Sequence, residues 1–137
     1  MEESLIALIL ANAGVQSLFR TTPGGETRVY WGRAPQVVAK PYATLQRVSN
    51  VPDNPHDGPS GLEFSRVQID VYGTTYSSAI TAARAIVGLL TGFKGAQGST
   101  KFQGIFRADW REAYEFDATP DKLFRQSVDV EIWHKGA

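Results

Sequence analysis

Residues 62–90 constrain the fold more than any other stretch, because their apolar pattern changes from a period of two to a helical period. Val67, Ile69 and Val71 alternate with polar residues, which indicates a strand with one apolar face. After Gly73 the apolar residues recur at helical spacing, which indicates an amphipathic helix. A strand that leads directly into such a helix predicts a sheet with one face covered by helices.

The rest of the chain adds another helix and further strands. An apolar run predicts a helix over residues 2–19, broken near Asn12, with Glu2 and Glu3 at the positive end of its dipole. Alternating patterns predict strands over residues 28–31, 42–48, 102–116 and 123–133. The prediction is an α+β fold in the order α-β-β-β-α-β-β, with two helices on one face of a mostly antiparallel sheet of about four to five strands.

Turn residues place the boundaries of the second helix, and alternation assigns the faces of the last two strands. Ser77 or Ser78 is expected to cap the helix, and Gly92 to end it. In residues 123–133, the side chains expected to face the core are Phe124, Val128, Val130 and Ile132, while Arg125, Ser127, Asp129 and Glu131 face away. Residues 102–116 form a strand long enough to contain a bulge; without one, Phe106 and Trp110 share a face.

The length of 137 residues predicts a single domain over residues 1–137. Its most unusual segment is the predicted loop at 49–61, in which prolines and glycines prevent a regular ladder or helix. Long loops of this kind are often functional, so this segment is a candidate contact element. The glycine-rich residues 93–101 predict a second, flexible loop.

Composition excludes several classes of protein. The chain has no cysteine. Its formal net charge is zero, which argues against binding of nucleic acid through its phosphates. The N-terminal apolar run begins with acidic rather than basic residues and is too short to span a bilayer, so neither a signal peptide nor a membrane anchor is predicted. We therefore expect a soluble cytosolic chain.

Motifs for catalysis, cofactors and metals are not found. His56 has only nearby aspartates, fewer than the three or four converging ligands that a metal needs, and His134 near the C-terminus is expected to be exposed. Ser60 lacks the spacing of a nucleophile elbow, and residues 95–98 lack the Lys and Ser/Thr of a phosphate loop. The pair Asp129 and Glu131 shares its strand face with Arg125 and lies opposite a strand bearing Arg66 and Asp70 or Arg107 and Arg111. Such mixed charges are more typical of a solvated or interfacial sheet face than of paired catalytic carboxylates.

Several predicted strands carry polar residues on the face that points away from the core. Such a face is ordinarily exposed to solvent, and it is also suited to contact a neighbouring copy or to line a shared channel. The candidate contact residues are those of this face together with those of the 49–61 loop: Asp53, His56, Asp57, Arg66, Gln68, Asp70, Arg125, Asp129 and Glu131.

The order of these features resembles the tail completion, or tail terminator, proteins of tailed bacteriophages, over almost the whole chain. The resemblance rests on the apolar first helix, on VYWGRAPQ at 29–36, PY at 41–42, DGPSGL at 57–62 and RVQIDVY at 66–72, and on the helix and strand pair that follow.

The resemblance implies a structural protein of the virion, made in the host cytoplasm, with no active site, cofactor or metal. It implies a homo-oligomeric ring, typically a hexamer, that caps the tail tube and joins it to a neck or head-completion protein. DNA would pass through the ring without specific binding, and no membrane would be involved. Phage-derived particles such as gene transfer agents contain the same module. The alternative is a small α+β ligand-binding or interaction domain unrelated to phage assembly.

Overall fold

The computed structural model describes residues 1–20, 27–33, 41–52, 61–116 and 122–136. In chain order, the elements are α1 (Glu2–Leu10), α2 (Ala13–Leu18), β1 (Val29–Trp31), β2 (Tyr42–Pro52), β3 (Glu63–Gly73), α3 (Tyr76–Leu90), β4 (Gly95–Gln97), β5 (Thr100–Phe116) and β6 (Lys122–Gly136). The predicted α+β class is confirmed, but the element order and strand count are not those expected.

The strands form one six-stranded mixed sheet in the order β1-β2-β3-β6-β5-β4. All neighbours are antiparallel except β1 and β2, which are parallel. The strand missed from the sequence is β4, which lies within the predicted flexible loop at 93–101. Gly98 has a φ of 59° and turns the chain directly from β4 into β5. A glycine-rich composition predicts such a turn but not the short strand before it.

The helices confirm the expected break near Asn12 and correct the start of the later helix. The Asn12 side chain accepts a hydrogen bond from the backbone N–H of Val15 at 3.0 Å and so begins α2. Thr75, rather than Ser77 or Ser78, is the N-cap of α3, and it forms a capping box with Ser78. Gly92 follows the end of α3 with a φ of 82°, as the sequence predicted.

The core lies between the helices and one face of the sheet. Val67, Ile69 and Val71 of β3 are buried there, as their alternation predicted. The other large side chains of the core come from every helix and from four further strands: Leu5, Leu8, Ile9, Val15, Phe19, Val29, Leu45, Ile86, Leu90, Phe102, Ile105, Val128, Val130 and Ile132. The helices therefore cover one face of the sheet and leave the other face to form the candidate site.

Two bulges change which face of the sheet the residues of β5 lie on. The register of β5 against β6 slips between Phe102 and Gly104, and again between Arg107 and Asp109. Each extra residue inverts the alternation that follows it. Phe106 therefore pairs with Glu131 on the face away from the helices and is 52% exposed, whereas Trp110 packs against the core. Unbroken alternation, which places both aromatics on one face, is wrong for this strand.

The 49–61 segment is shorter as a loop than the sequence predicted. β2 continues to Pro52 after a bulge between Arg47 and Ser49, and its last residues pair with the beginning of β3. Proline is compatible with the end of a strand, where no further ladder bond depends on its nitrogen. Residues 53–60 lie outside the described residues.

Candidate assembly surface

The candidate site is the sheet face opposite the helices, which we call the helix-free face. Its polar side chains come from β2, β3, β5 and β6: Thr44, Gln46, Arg66, Gln68, Asp70, Asp109, Arg111, Arg125, Ser127, Asp129 and Glu131. Period-two alternation positions these side chains, since their chain neighbours point into the core. Within the part of the chain that the structure describes, this face carries an ion-pair network beside a row of exposed apolar side chains.

Asp129 lies at the centre of the network. Arg66 donates to its Oδ2 from Nε at 3.2 Å and from Nη2 at 3.0 Å, and Arg111 donates from Nη2 to its Oδ1 at 3.0 Å. The two arginines cover the carboxylate, so that the Asp129 side chain is only 8% exposed. A second carboxylate, Glu131, lies 3.7 Å from Arg66 Nη1. Hydrogen bonds from charged donors are the stronger kind, so this cluster is held in a defined arrangement.

Arg111 also resolves a conflict between two strands. Asp109 of β5 lies directly opposite Asp129 of β6, and like charges in that position repel each other. Arg111 binds both carboxylates, and hydrogen bonds to Asp129 and then Asp109 raise its pKa. The hydrogen bond from Arg111 is the main reason that the pKa of Asp109 is lowered, helped by the backbone N–H of Trp110. Arg111 therefore allows two carboxylates to lie opposite each other on neighbouring strands.

Next to this cluster, the Asp70 carboxylate accepts its hydrogen bonds from neutral donors. Gln68 donates from Nε2 to both carboxylate oxygens of Asp70, at 3.1 and 3.0 Å, and the Ser127 hydroxyl donates to Oδ1. Farther along the same face, Arg125 lies opposite Tyr72, whose ring stacks on Tyr42 with centroids 4.7 Å apart. The polar groups on this part of the face are thus arranged by contacts within the subunit.

The other end of the helix-free face is apolar. Val51, Phe64 and Trp133 lie side by side on β2, β3 and β6, with the rings of Phe64 and Trp133 centred 4.7 Å apart. Gly104 completes the row on β5, where Phe106 fills the place of its missing side chain. A Cβ on Gly104 would approach the Phe106 ring to 2.9 Å. We call Val51, Phe64, Phe106 and Trp133 the aromatic row; Val51 is 55% exposed and Trp133 37% exposed.

Comparison with known proteins identifies the family. The family model described as "Tail completion protein gp17" matches residues 3–135. This chain belongs to that family. It is therefore a structural protein of the phage tail, located in the virion and assembled with other tail and head proteins, and it is not an enzyme.

A solved structure has the same fold as this tail completion protein. It is a chain of the structure titled "Virion of native gene transfer agent (GTA) particle", with a TM-score of 0.76 and 17% sequence identity. The match covers 99% of this chain and 95% of the other, so the whole fold is shared rather than a fragment of it. No curated protein matches the chain.

The structure brings most of the predicted contact residues of this tail completion protein onto one face. Arg66 contacts both Asp129 and Glu131, Gln68 contacts Asp70, and Arg125 lies farther along the same face. Asp53, His56 and Asp57 lie outside the described residues. Their participation in contacts with partners stays a prediction.

Sequence reasoning missed the aromatic row of this surface. Phe106 joins the helix-free face only because of the first bulge, which no local pattern located, whereas the two inversions cancel for Asp109 and Arg111. Phe64 and Trp133 follow the alternation of their strands, so a longer reading of that pattern would have found them. His134, expected to be exposed, is in fact buried on the core side with 3% exposure.

Other site types find no support in the described part of the chain. Its residues contain no group of three or more His, Asp or Glu placed to hold a metal ion. None of the described helices is both long and apolar enough to cross a membrane.

Proposed function

We propose that this protein forms a homo-oligomeric ring, most simply a hexamer, on the head-proximal end of the tail tube. The ring stops addition of further tube protein and presents its other side to a neck or head-completion protein. Residues 1–137 act as one domain in this role. The family match over residues 3–135 carries the proposal, because it covers nearly the whole subunit and names tail completion as the role.

The aromatic row supports a role in assembly. Large apolar side chains at the centre of an interface supply much of its binding energy, and rows of exposed aromatics are unusual on surfaces that stay wet. Phe106 is 52% exposed and Trp133 37% exposed in the isolated subunit. Burial of this row against the tube protein or an adjacent copy gives the helix-free face its function, with the candidate residues Arg66, Gln68, Asp70, Arg125, Asp129 and Glu131 around it.

The charges support passage of DNA through the ring without specific binding. Arg66 and Arg111 are both committed to Asp129, and the whole chain has zero formal net charge. Cations that already have carboxylate partners offer little counterion release on contact with phosphates. The ring therefore encloses DNA without gripping it.

Negative-stain imaging of purified protein, with and without purified tail tubes, tests the proposal. We expect rings, and tubes that carry a ring at one end and no longer extend when tube protein is added. A subunit that never decorates tube ends and leaves tube length unchanged would rule the proposal out. Bovine serum albumin at the same concentration controls for nonspecific decoration.

A further inference from the structure

An open groove runs between α3 and β5, on the side of the sheet that the helices cover. We call it the edge groove. Its lining is Ile80, Arg84, Arg107, Ala108, Asp109, Trp110 and Glu112, with a volume of about 660 Å³. A smaller hollow of about 350 Å³, lined by Val87, Thr91, Phe106 and Arg107, continues it along the same helix and strand. Both are open to solvent and follow the same helix and strand, which suits an extended polypeptide segment.

Hydrogen bonds close the edge groove at its two ends and leave its middle open. At one end, the N–H of Gly92 donates to the carbonyl of Ile105 at 2.7 Å. At the other, the Tyr76 hydroxyl donates to Glu112 Oε1 at 3.1 Å. The outer neighbour of β5, strand β4, pairs only with the residues from Thr100 to Phe102. Within the described residues, the outer edge of β5 between these two bonds has no strand beside it.

The bulge in β5 shapes the floor of the groove. Arg107 and Trp110 are three residues apart, and in a regular strand they would point to opposite faces. The extra residue, Ala108, places both on the groove side. The guanidinium carbon of Arg107 then lies 5.5 Å from the centre of the Trp110 ring, a cation–π contact. Trp110 is fixed in turn by its indole N–H, which donates to Gln126 at 2.7 Å.

The cations of the groove are not neutralised within the described part of the subunit. Arg84 and Arg107 are exposed and form no ion pair there, and Asp109 is bound by Arg111. Glu112 accepts from the neutral Tyr76 hydroxyl, so two guanidinium groups of the lining face one carboxylate. An unpaired strand edge supplies backbone donors and acceptors, and guanidinium groups beside it select carboxylates. The groove therefore fits an extended acidic segment.

We infer that the edge groove binds an extended acidic segment of a second copy of this chain, which adds as a strand along β5 with its carboxylates at Arg84 and Arg107. The inference rests on the ring proposed above. A closed ring needs a head-to-tail contact, in which two different surfaces of the subunit meet. The chain contains a suitable segment between β5 and β6, since residues 117–121 have two carboxylates and no Lys or Arg.

The test reverses the groove charges in the full-length chain, with the double variant Arg84→Glu/Arg107→Glu. A matched control, Lys94→Glu/Lys101→Glu, makes the same change in net charge at exposed residues that do not line the groove. Sedimentation velocity over a range of concentrations, without and with purified tail tubes, measures assembly. Circular dichroism and thermal melting check that each variant is folded.

We expect the groove variant to remain folded but to weaken subunit association about a hundredfold, while the control assembles like wild type. Fluorescently labelled groove variant should still join wild-type subunits, because its own acidic segment remains intact, and should prevent the ring from closing. If the groove variant assembles as well as wild type, the inference is wrong and the ring still stands. If wild type forms no assembly even with tubes, the proposed function fails, and this inference with it.

Discussion

Asp129 is buried on an open sheet face because Arg66 and Arg111 fold over it from the strands on either side. Each of its oxygens accepts from a guanidinium at 3.0 Å, which offsets the desolvation of the carboxylate. Removal of either arginine would leave a half-paired charge, so the three residues act as a unit. At this scale, ion pairs set the shape of the surface that is offered for assembly.

On the core side of the sheet, His134 is a buried ionisable residue, as Asp129 is on the helix-free face. The Ser65 hydroxyl lies 2.8 Å from its Nε2, and Asn50 donates to the same hydroxyl at 2.8 Å. This arrangement leaves the Ser65 hydrogen to donate to a neutral imidazole. Burial lowers the pKa of His134; the N-terminal amino group and Arg47 act in the same direction, and Glu63, 3.8 Å from Nδ1, opposes them.

This lowered pKa predicts a loss of stability in acid. The unfolded chain takes up the His134 proton near the ordinary pKa of about 6.5, whereas the folded chain takes it up only at lower pH. The free energy of unfolding should therefore fall as the pH drops from 7.5 through 6.5 towards the lowered value. Urea denaturation at several pH values measures this fall in wild type and in His134→Gln.

Comparing the free energy of unfolding of wild type and His134→Gln at each pH separates the contribution of this histidine from that of the carboxylates, which also titrate. The dependence on pH should be shallower in His134→Gln than in wild type. The His56→Gln variant is the matched control, since it removes a histidine but keeps His134. Equal slopes in wild type and His134→Gln would contradict the predicted cost of protonating this residue.

At the scale of elements, the junction between β3 and α3 depends on the absence of a side chain. A Cβ on Gly73 would lie 2.9 Å from the backbone nitrogen of Ala79 and 2.5 Å from Ser78 Oγ. The backbone atom belongs to the first turns of α3 and cannot rotate away. The end of β3 therefore packs directly against the start of α3, as the change of period at Gly73 suggested.

Gly73→Ala should accordingly destabilise the protein, by about 1–3 kcal/mol, because the helix must shift to relieve the overlap. Gly88→Ala is the matched comparison, since a Cβ at this exposed position of α3 meets nothing within 4 Å. It should stabilise the protein by about 0.5–1 kcal/mol through helix propensity. Chemical denaturation measures both, and a neutral Gly73→Ala would show that the junction is not tightly packed.

In the whole molecule, the sheet places the surface used for core packing and the surfaces available for assembly in different positions. The helix-covered face is filled by the core, while the helix-free face and the edge groove remain available to partners. The aromatic row and the edge groove lie on opposite faces of the sheet, and Phe106 borders both. A subunit with two separate contact surfaces is suited to a head-to-tail ring stacked on other rings.

Trp133→Ala should reduce the fraction of capped tail tubes by tenfold or more, the approximate cost of losing a central aromatic at an interface. Its side chain is 37% exposed in the free subunit, so the fold should survive the change. Counting ring-bearing tube ends in electron micrographs measures the effect. Val48→Ala is the control, because Val48 is 52% exposed but lies at the β2 bulge outside the row. Normal capping by Trp133→Ala would remove the aromatic row from the assembly surface.

Local sequence patterns were enough to predict the class of fold, the strand and helix of residues 62–90 and the core side of β6. They also carried the family resemblance, which the match over residues 3–135 confirmed. These features are carried by local periodicity and by the order of motifs, both of which can be read along the chain. The helix break at Asn12 and the end of α3 at Gly92 were predictable for the same reason.

Three-dimensional contacts were needed to establish that Phe106 and Arg107 exchange faces within β5, that β4 pairs with β5, and that His134 is buried. A bulge is one unpaired residue whose place depends on the neighbouring strand, so alternation along β5 alone could not locate the inversion at Ala108. Likewise, burial of His134 follows from contacts with Ser65, which is 69 residues away in the chain. Side-chain periodicity is a local property, whereas register and burial depend on partners that are distant in sequence.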